Sequence, residues 1–133
     1  MVTASGEQAD GAAANAIDDD PATAWRSAVL DAPVAALPAS LVVDLGETFD
    51  LTALTVLPVA AGPWPRAYTC STSRDGQEWT RAAAGEFANL ANNPLLQVVA
   101  FPPRRARYVK LVVASEAQGR GAVAIAELDV RVK

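Results

Sequence analysis

The chain has 133 residues, 51% of them hydrophobic and 20% charged, with a formal net charge of −4, which is the size of one domain with enough apolar material for its own core. Residues 1–50 hold nine acids against one base, Arg26; the only basic run is "RRAR" at 104–107, so no nucleic-acid partner is expected, because phosphate neutralisation needs clustered Lys and Arg. Histidine is absent, which removes the commonest general base and metal ligand; the single cysteine, Cys70, permits no internal disulfide, and no apolar run is long enough to span a bilayer.

Met1 precedes a strand-like "VTASG" rather than the charged and apolar regions of a signal peptide. The chain therefore reads as one domain, residues 1–133, cut from a larger protein. "NAIDDDPATAW" (15–25) follows, three aspartates bracketed by the core-type residues Ile17 and Trp25. The Ala-rich stretch 28–39 is irregular, with room for one helical turn. "SLVVDLGE" (40–47) is expected to be a short strand ending at a Gly turn. "LTALTVLP" (51–58) alternates, placing Leu51, Ala53, Thr55 and Leu57 on one face and Leu54 and Val56 on the other. "AYTCSTSRDGQEW" (67–79) reads as a strand, an Asp75-Gly76 hairpin turn and the start of the next strand. Tyr68, Cys70 and Thr72 share a face there, so Cys70 is expected to be a buried thiol without a role. "LLQVVAF" (95–101) is expected to stop at Pro102-Pro103, with the basic run as a solvated strand edge beyond it. "RYVKLVVAS" (107–115) and "VAIAELDVRVK" (123–133) are the clearest strands. Tyr108, Leu111 and Val113 are assigned to the core, and Trp25 and Trp79 are assigned to cover its ends. About eight strands joined by polar and Pro/Gly loops make an all-β sandwich.

The acidic stretch supports two readings. Aspartates, a threonine and backbone carbonyls are hard oxygen donors of the kind that Ca²⁺ collects, six to eight at roughly 2.3–2.6 Å. Side chains at 18, 20 and 23 converge if the segment curls, with Pro21 fixing the curl. Glu127, an acid inside an apolar strand, is the natural remote ligand, since an unpaired charge there is costly. The spacing is not that of an EF-hand. The other reading is a solvated acidic turn, with Asp20 turning the chain before Pro21. The spacing alone leaves both open.

Taken in order, "NAIDDDPATAW", "PASLVVDLGETFDLTALTVLP", "YTCSTSRDGQEW", "RYVKLVV" and "AELDV" resemble the successive blocks of the discoidin family, also called the F5/8 type C domain. The sugar-binding bacterial branch of that family is carbohydrate-binding module family 32. The resemblance covers nearly the whole chain and implies a jelly-roll β-sandwich with galactose-binding-like topology. It also implies a structural Ca²⁺ held by the Asn15 carbonyl, the Asp18 side chain, Asp20, the carbonyl and hydroxyl of Thr23, the Ala126 carbonyl and a Glu127 carboxylate oxygen. Where the family often has Gly between the acidic positions, this chain has Asp19.

The implied function is a non-catalytic carbohydrate-binding module. It would tether a secreted or cell-surface bacterial glycan-active enzyme, its catalytic domain in cis, to its glycan. A monomer is expected. The chain departs from the family's galactose-binding pattern. It has no His, it has Val59 where an Arg often follows "LP", and the loop "QGRGAV" before the last block lacks an aromatic.

The remaining ligand candidate is "AAGPWPRAY" (60–68). There Trp64, held between two prolines, is either a ring that stacks on a sugar's C–H face or a lid on its own loop. Arg66 is either a ligand contact or part of a structural turn. Arg26, Asn92, Asn93, Gln118 and Arg120 are further polar candidates in loops. Two other readings stand beside the sugar module. One is a protein- or lipid-binding discoidin domain with Val29, Leu30 and Trp64 as apolar spikes, against which the acidic N-terminal half would repel anionic lipid. The other is an accessory domain without a sugar ligand. An enzyme is not expected, because hydrolysis needs paired carboxylates across a cleft and a Ser nucleophile would lack a His base.

Overall fold

Two strands much longer than the rest organise the protein. The structure is a computed structural model that describes residues 1–8, 10–27, 37–88, 90, 95–117 and 122–133. Its strands are β1 (Val2–Ala4), β2 (Trp25–Arg26), β3 (Ala39–Pro58), β4 (Ala67–Ser73), β5 (Thr80–Glu86), β6 (Gln97–Val113) and β7 (Ala124–Val132), with a 3₁₀ turn over Ala13–Ile17. All pairings are antiparallel, in the order β2-β7-β3-β6-β4-β5, with β1 on β3. The expected all-β sandwich is found, with seven strands among the described residues rather than about eight.

The count differs for a physical reason. The stretches 40–47 and 51–58 are one strand, β3, and 95–101 and 107–115 are one strand, β6. These two pair along almost their whole length as a ribbon. The first half of β3 and the second half of β6 carry β1, β4 and β5; the other halves carry β7 and, through it, β2. One ribbon thus belongs to both layers of the sandwich, and its inner faces meet in a single cluster that includes Leu41, Val43, Leu54, Val56, Val99 and Leu111.

The ribbon changes layer at register shifts between Asp44 and Phe49 and between Leu51 and Ala53. Gly46, at φ +85, occupies the left-handed region there without a Cβ penalty, and its N–H donates to Asp44 Oδ1 at 2.9 Å. Pro102-Pro103 do not end β6. They fall opposite the second shift, where Ala53 faces Ala100 and Leu51 faces Arg104, so the ladder asks no N–H of them. The same shift overturns the simple alternation expected for 51–58. Thr52 is the extra residue against β7, and Leu51 joins Leu54 and Val56 in the interior cluster.

Three further expectations change. The Asp75-Gly76 pair does not close a two-residue hairpin. Residues 74–79 form a longer turn in which Asp75 Oδ1 accepts from the N–H groups of Gln77 and Glu78, and from Ser73 Oγ–H. Tyr108 is not core, because period two puts it opposite Val109, Leu111 and Val113. It meets Trp79 edge-on at 6.5 Å on the outer surface, where Lys110 Nζ sits 4.2 Å from the Trp79 ring. Trp79 therefore covers a sheet face rather than a core end.

The burial expected of Cys70, Leu111 and Val113 is found, and Trp25 belongs to the same interior cluster. Cys70 is fully buried and burial pushes its thiol up to about 11. Trp25 is fully buried, with its indole N–H donating to the Gly6 carbonyl at 3.1 Å. The expected helical turn in the Ala-rich stretch lies mostly outside the described residues. Among the described residues no helix is long and apolar enough to cross a membrane.

The basic run sits on the bend rather than before a strand. Arg107 grips Asp44 through two bonds of 2.7 and 3.0 Å, and Arg105 reaches Asp50 at 3.5 Å. The Arg107 guanidinium and the Gly46 N–H hold the Asp44 carboxyl down from 3.8 to about 2. Because the folded value lies below the unfolded one, this contribution is complete above about pH 4 and is lost as pH falls towards 2. An acid titration of unfolding should show wild type losing stability across that interval and Arg107→Gln losing measurably less. Equal slopes would show that the pair is not linked to folding.

A second outcome concerns Gly11. A Cβ built there would lie 2.4 Å from Arg26 Cβ and 2.7 Å from Arg26 N. Gly11→Ala must displace β2 and should cost about 1–3 kcal/mol in urea unfolding.

Candidate functional site

The acidic loop hangs between the 3₁₀ turn and β2, alongside β7. Its oxygens turn inward. Thr23 Oγ1–H lies 2.5 Å from Asp18 Oδ2 and 3.1 Å from the Asp20 carbonyl, so three oxygens crowd together. The Asp20 N–H donates to Asp18 Oδ1 at 2.9 Å. Asp19 takes φ 60, the left-handed region, which explains why a glycine suits this position. The side chain of Asp20 does not converge with the others as the spacing predicts. It accepts the Ala22 N–H at 2.9 Å, and the Asp20 carbonyl joins the cluster instead. Asn15 is fixed through its side-chain amide, which donates to the Ala24 carbonyl at 3.1 Å.

From β7 comes Glu127. Burial, and then the neighbouring Asp18 carboxylate, push its carboxyl up to about 7, and its Oε1 is buried without a hydrogen-bond partner among the described residues. Asp18 is shifted the other way, chiefly by the Thr23 hydroxyl and the Asp20 N–H. Two adjacent carboxyl groups forced apart in this way carry repulsion that a cation would relieve. Ala126 is the extra residue where the β3–β7 register slips, since Leu57 faces Glu127 and Pro58 faces Ile125. It has no ladder partner in β3. Among the described residues no group of three His, Cys, Asp or Glu side chains is placed to hold a metal. Any cation here would therefore be held by two carboxylates, with the Thr23 hydroxyl and carbonyls completing the set, which is a donor mix suited to Ca²⁺.

The loop 59–66 crosses from the end of β3 to the start of β4. Its carbonyls are tied down: Ala124 N–H donates to Pro63 O at 3.0 Å and Ala117 N–H to Trp64 O at 3.0 Å. Trp64 is half-buried, packed against the interior cluster, with its indole nitrogen buried and unpartnered among the described residues. Much of its ring thus seals the loop end. Beside it runs a groove of about 300 Å³ lined by Pro65, Arg66, Glu86, Phe87, Leu90 and Ala117, with Ala88. Arg66 and Glu86 face each other across it at 3.9 Å, both more than half exposed. Phe87 stacks on Tyr68 with centroids 4.3 Å apart and stiffens the groove floor.

Glu86 could not be found from sequence. Its partner is fixed only by the register that sets Ala67 against it. Arg26 stands at the same end, with Ala124 between it and Pro63, but it does not line the groove. Asn92, Asn93, Gln118 and Arg120, with Val29 and Leu30, lie outside the described residues.

Comparison with known proteins converges on this architecture. A sialidase of Micromonospora viridifaciens is 34% identical over 123 residues, which is 91% of this chain but 19% of that protein. The chain thus spans about a fifth of the length of this relative. CpGH89CBM32-5 from Clostridium perfringens, solved in complex with GalNAc-β-1,3-galactose, superposes with a TM-score of 0.86 at 27% identity, covering 98% of this chain and 93% of that one. The family 32 carbohydrate-binding module of C. perfringens NanJ, in complex with galactose, gives 0.84 at 26%, covering 98% and 91%. Residues 1–128 match the family description "F5/8 type C domain", and the chain belongs to that family.

Proposed function

We propose that the domain is a non-catalytic carbohydrate-binding module that tethers a secreted bacterial glycan-active enzyme to its glycan. One observation carries this reading: the chain aligns over 91% of its length with a stretch that makes up only 19% of a sialidase. That is the relation of a module to a catalytic protein. Two modules of the same shape were solved with galactose-containing sugars. The loop-end groove has the right chemistry on a small scale. Arg66 offers donors and Glu86 acceptors to neighbouring hydroxyls, Pro65, Phe87 and Leu90 line the groove with apolar surface, and the exposed part of Trp64 adjoins it through Pro65. Among the described residues Glu86 is the groove's one carboxylate, and hydrolysis by the usual route asks for two. A second reading, an accessory domain without a sugar ligand, is favoured by the packing of Trp64 into the interior.

Galactose, N-acetylgalactosamine and their disaccharides should quench or enhance Trp fluorescence saturably. Arg66→Ala should weaken that response by about tenfold, a loss of about 1.4 kcal/mol, and Trp64→Ala should abolish it. A flat titration across a broad sugar panel would favour the accessory-domain reading.

The reading includes a structural Ca²⁺ at Asp18, the Asp20 carbonyl, Thr23 and Glu127, with the Asn15 and Ala126 carbonyls. The ion would neutralise the carboxylates and tie the N-terminal loop to the last strand. Calcium at 100 times its Kd should add about 2.7 kcal/mol and raise Tm by roughly 5–15 °C. In Glu127→Gln this shift should largely vanish. A Tm indifferent to both calcium and chelator would refute the metal.

A further inference from the structure

A larger cavity, of about 590 Å³, opens away from the loop end, between the β4–β5 turn and the bend of the ribbon. β4 starts beside Ala114 at the loop end and finishes at Ser73 on the cavity wall. Its seven residues separate the two places by on the order of 20 Å. The wall is made by Thr72, Ser73, Thr80, Arg74, Arg104 and Arg105, with Asp75 and Glu78 on the turn.

Arg104 is the unusual member. Its guanidinium is half-buried, 5.9 Å from the Phe101 ring, and its Nε is buried without a partner among the described residues. Nη1 makes two long bonds, 3.5 Å to Thr72 Oγ1 and 3.3 Å to the Arg81 carbonyl. The carboxylates of the bend are engaged elsewhere. Asp44 is held by Arg107 and Asp50 by Arg105. The Oδ1 of Asp75 is saturated by its own turn. Arg104 forms no ion pair among the described residues, and its charge acts on the buried Cys70 thiol.

A partly desolvated guanidinium whose Nη2 is not committed to the protein among the described residues, beside the hydroxyls of Thr72 and Thr80, is an arrangement that takes an oxyanion through charge-assisted hydrogen bonds. The volume accommodates a sugar ring as well as the anion. We propose that this cavity is a second binding site, for an acidic saccharide whose carboxylate or sulfate ester lies on Arg104. Arg74 stands at the mouth, and the hydroxyls of Thr72 and Thr80 meet the sugar, that of Ser73 being held in its own turn. This site is independent of the loop-end groove, so either stands if the other fails.

The test is two-dimensional NMR of the whole domain, titrated with sodium glucuronate, glucose 6-sulfate, methyl glucoside and sodium sulfate. The acidic sugars should move amides of residues 72–80 and 104–105 and leave 64–66 and 86–88 still. Methyl glucoside should move none. Arg104→Ala should weaken binding by about tenfold or more. Glu78→Gln, at an exposed rim position, should tighten it about threefold by removing a like charge. This keeps the test sound if Arg104→Ala does not fold. Response to sulfate alone, without the sugars, would show an anion hole and overturn the saccharide assignment. Silence to all four, or a Glu78→Gln variant that binds no tighter, would overturn the site.

Discussion

The constraint on which the rest depends is that one two-stranded ribbon must serve both layers of the sandwich. A ladder of this length does not turn over by itself, because every regular pair propagates the sheet it belongs to. The chain breaks the regularity at chosen places. Gly46 supplies a left-handed residue, Thr52 an extra one, and Pro102-Pro103 a stretch without donors. Arg107 on Asp44 and Arg105 on Asp50 then clamp the two strands across the bend. Once the ribbon is folded, its two inner faces can only bury against each other. β1, β4, β5, β7 and β2 add to edges that already exist.

The acidic loop closes the side of the sandwich that this arrangement leaves open. It touches β7 through Glu127, and the residues flanking it reach β1 and the interior through the 3₁₀ turn and Trp25. Its position is set by buried groups, yet its carboxylates are crowded, with Asp18 pulled to lower and Glu127 to higher pKa. Trp25, fully buried at one end of the loop, anchors it to the core, while the three consecutive aspartates in the middle stand beside Glu127 of β7.

The two ends of the sandwich differ in the same way that their sequences differ. The loop end is stitched by backbone bonds from 63–66 to 115–124, which leaves Arg66 and Glu86 exposed on a rigid floor. The turn end gathers arginines, of which Arg105 and Arg107 are neutralised by the bend and Arg104, among the described residues, is not. Charge pairing along the ribbon thereby leaves Arg104 with donors to spare. A binding surface can arise in this manner as a by-product of how the fold is clamped.

Much of the chain's identity was legible in its sequence. The strand-period segments, the burial of Cys70 and Trp25, and the oxygen-rich loop followed from residue type and spacing, because alternation and donor chemistry are local properties. Five ordered blocks were enough to place the family. What the sequence did not disclose was continuity and facing. The fusion of four expected strands into β3 and β6, the passage of β6 through two prolines, the outward side of Tyr108 and Trp79, and the turning away of the Asp20 side chain are all consequences of register. So are the meeting of Arg66 with Glu86 and the isolation of Arg104. Register is decided by which residues lie opposite one another across the sheet, often fifty or more positions apart in the chain. Only the folded ribbon brings those residues together.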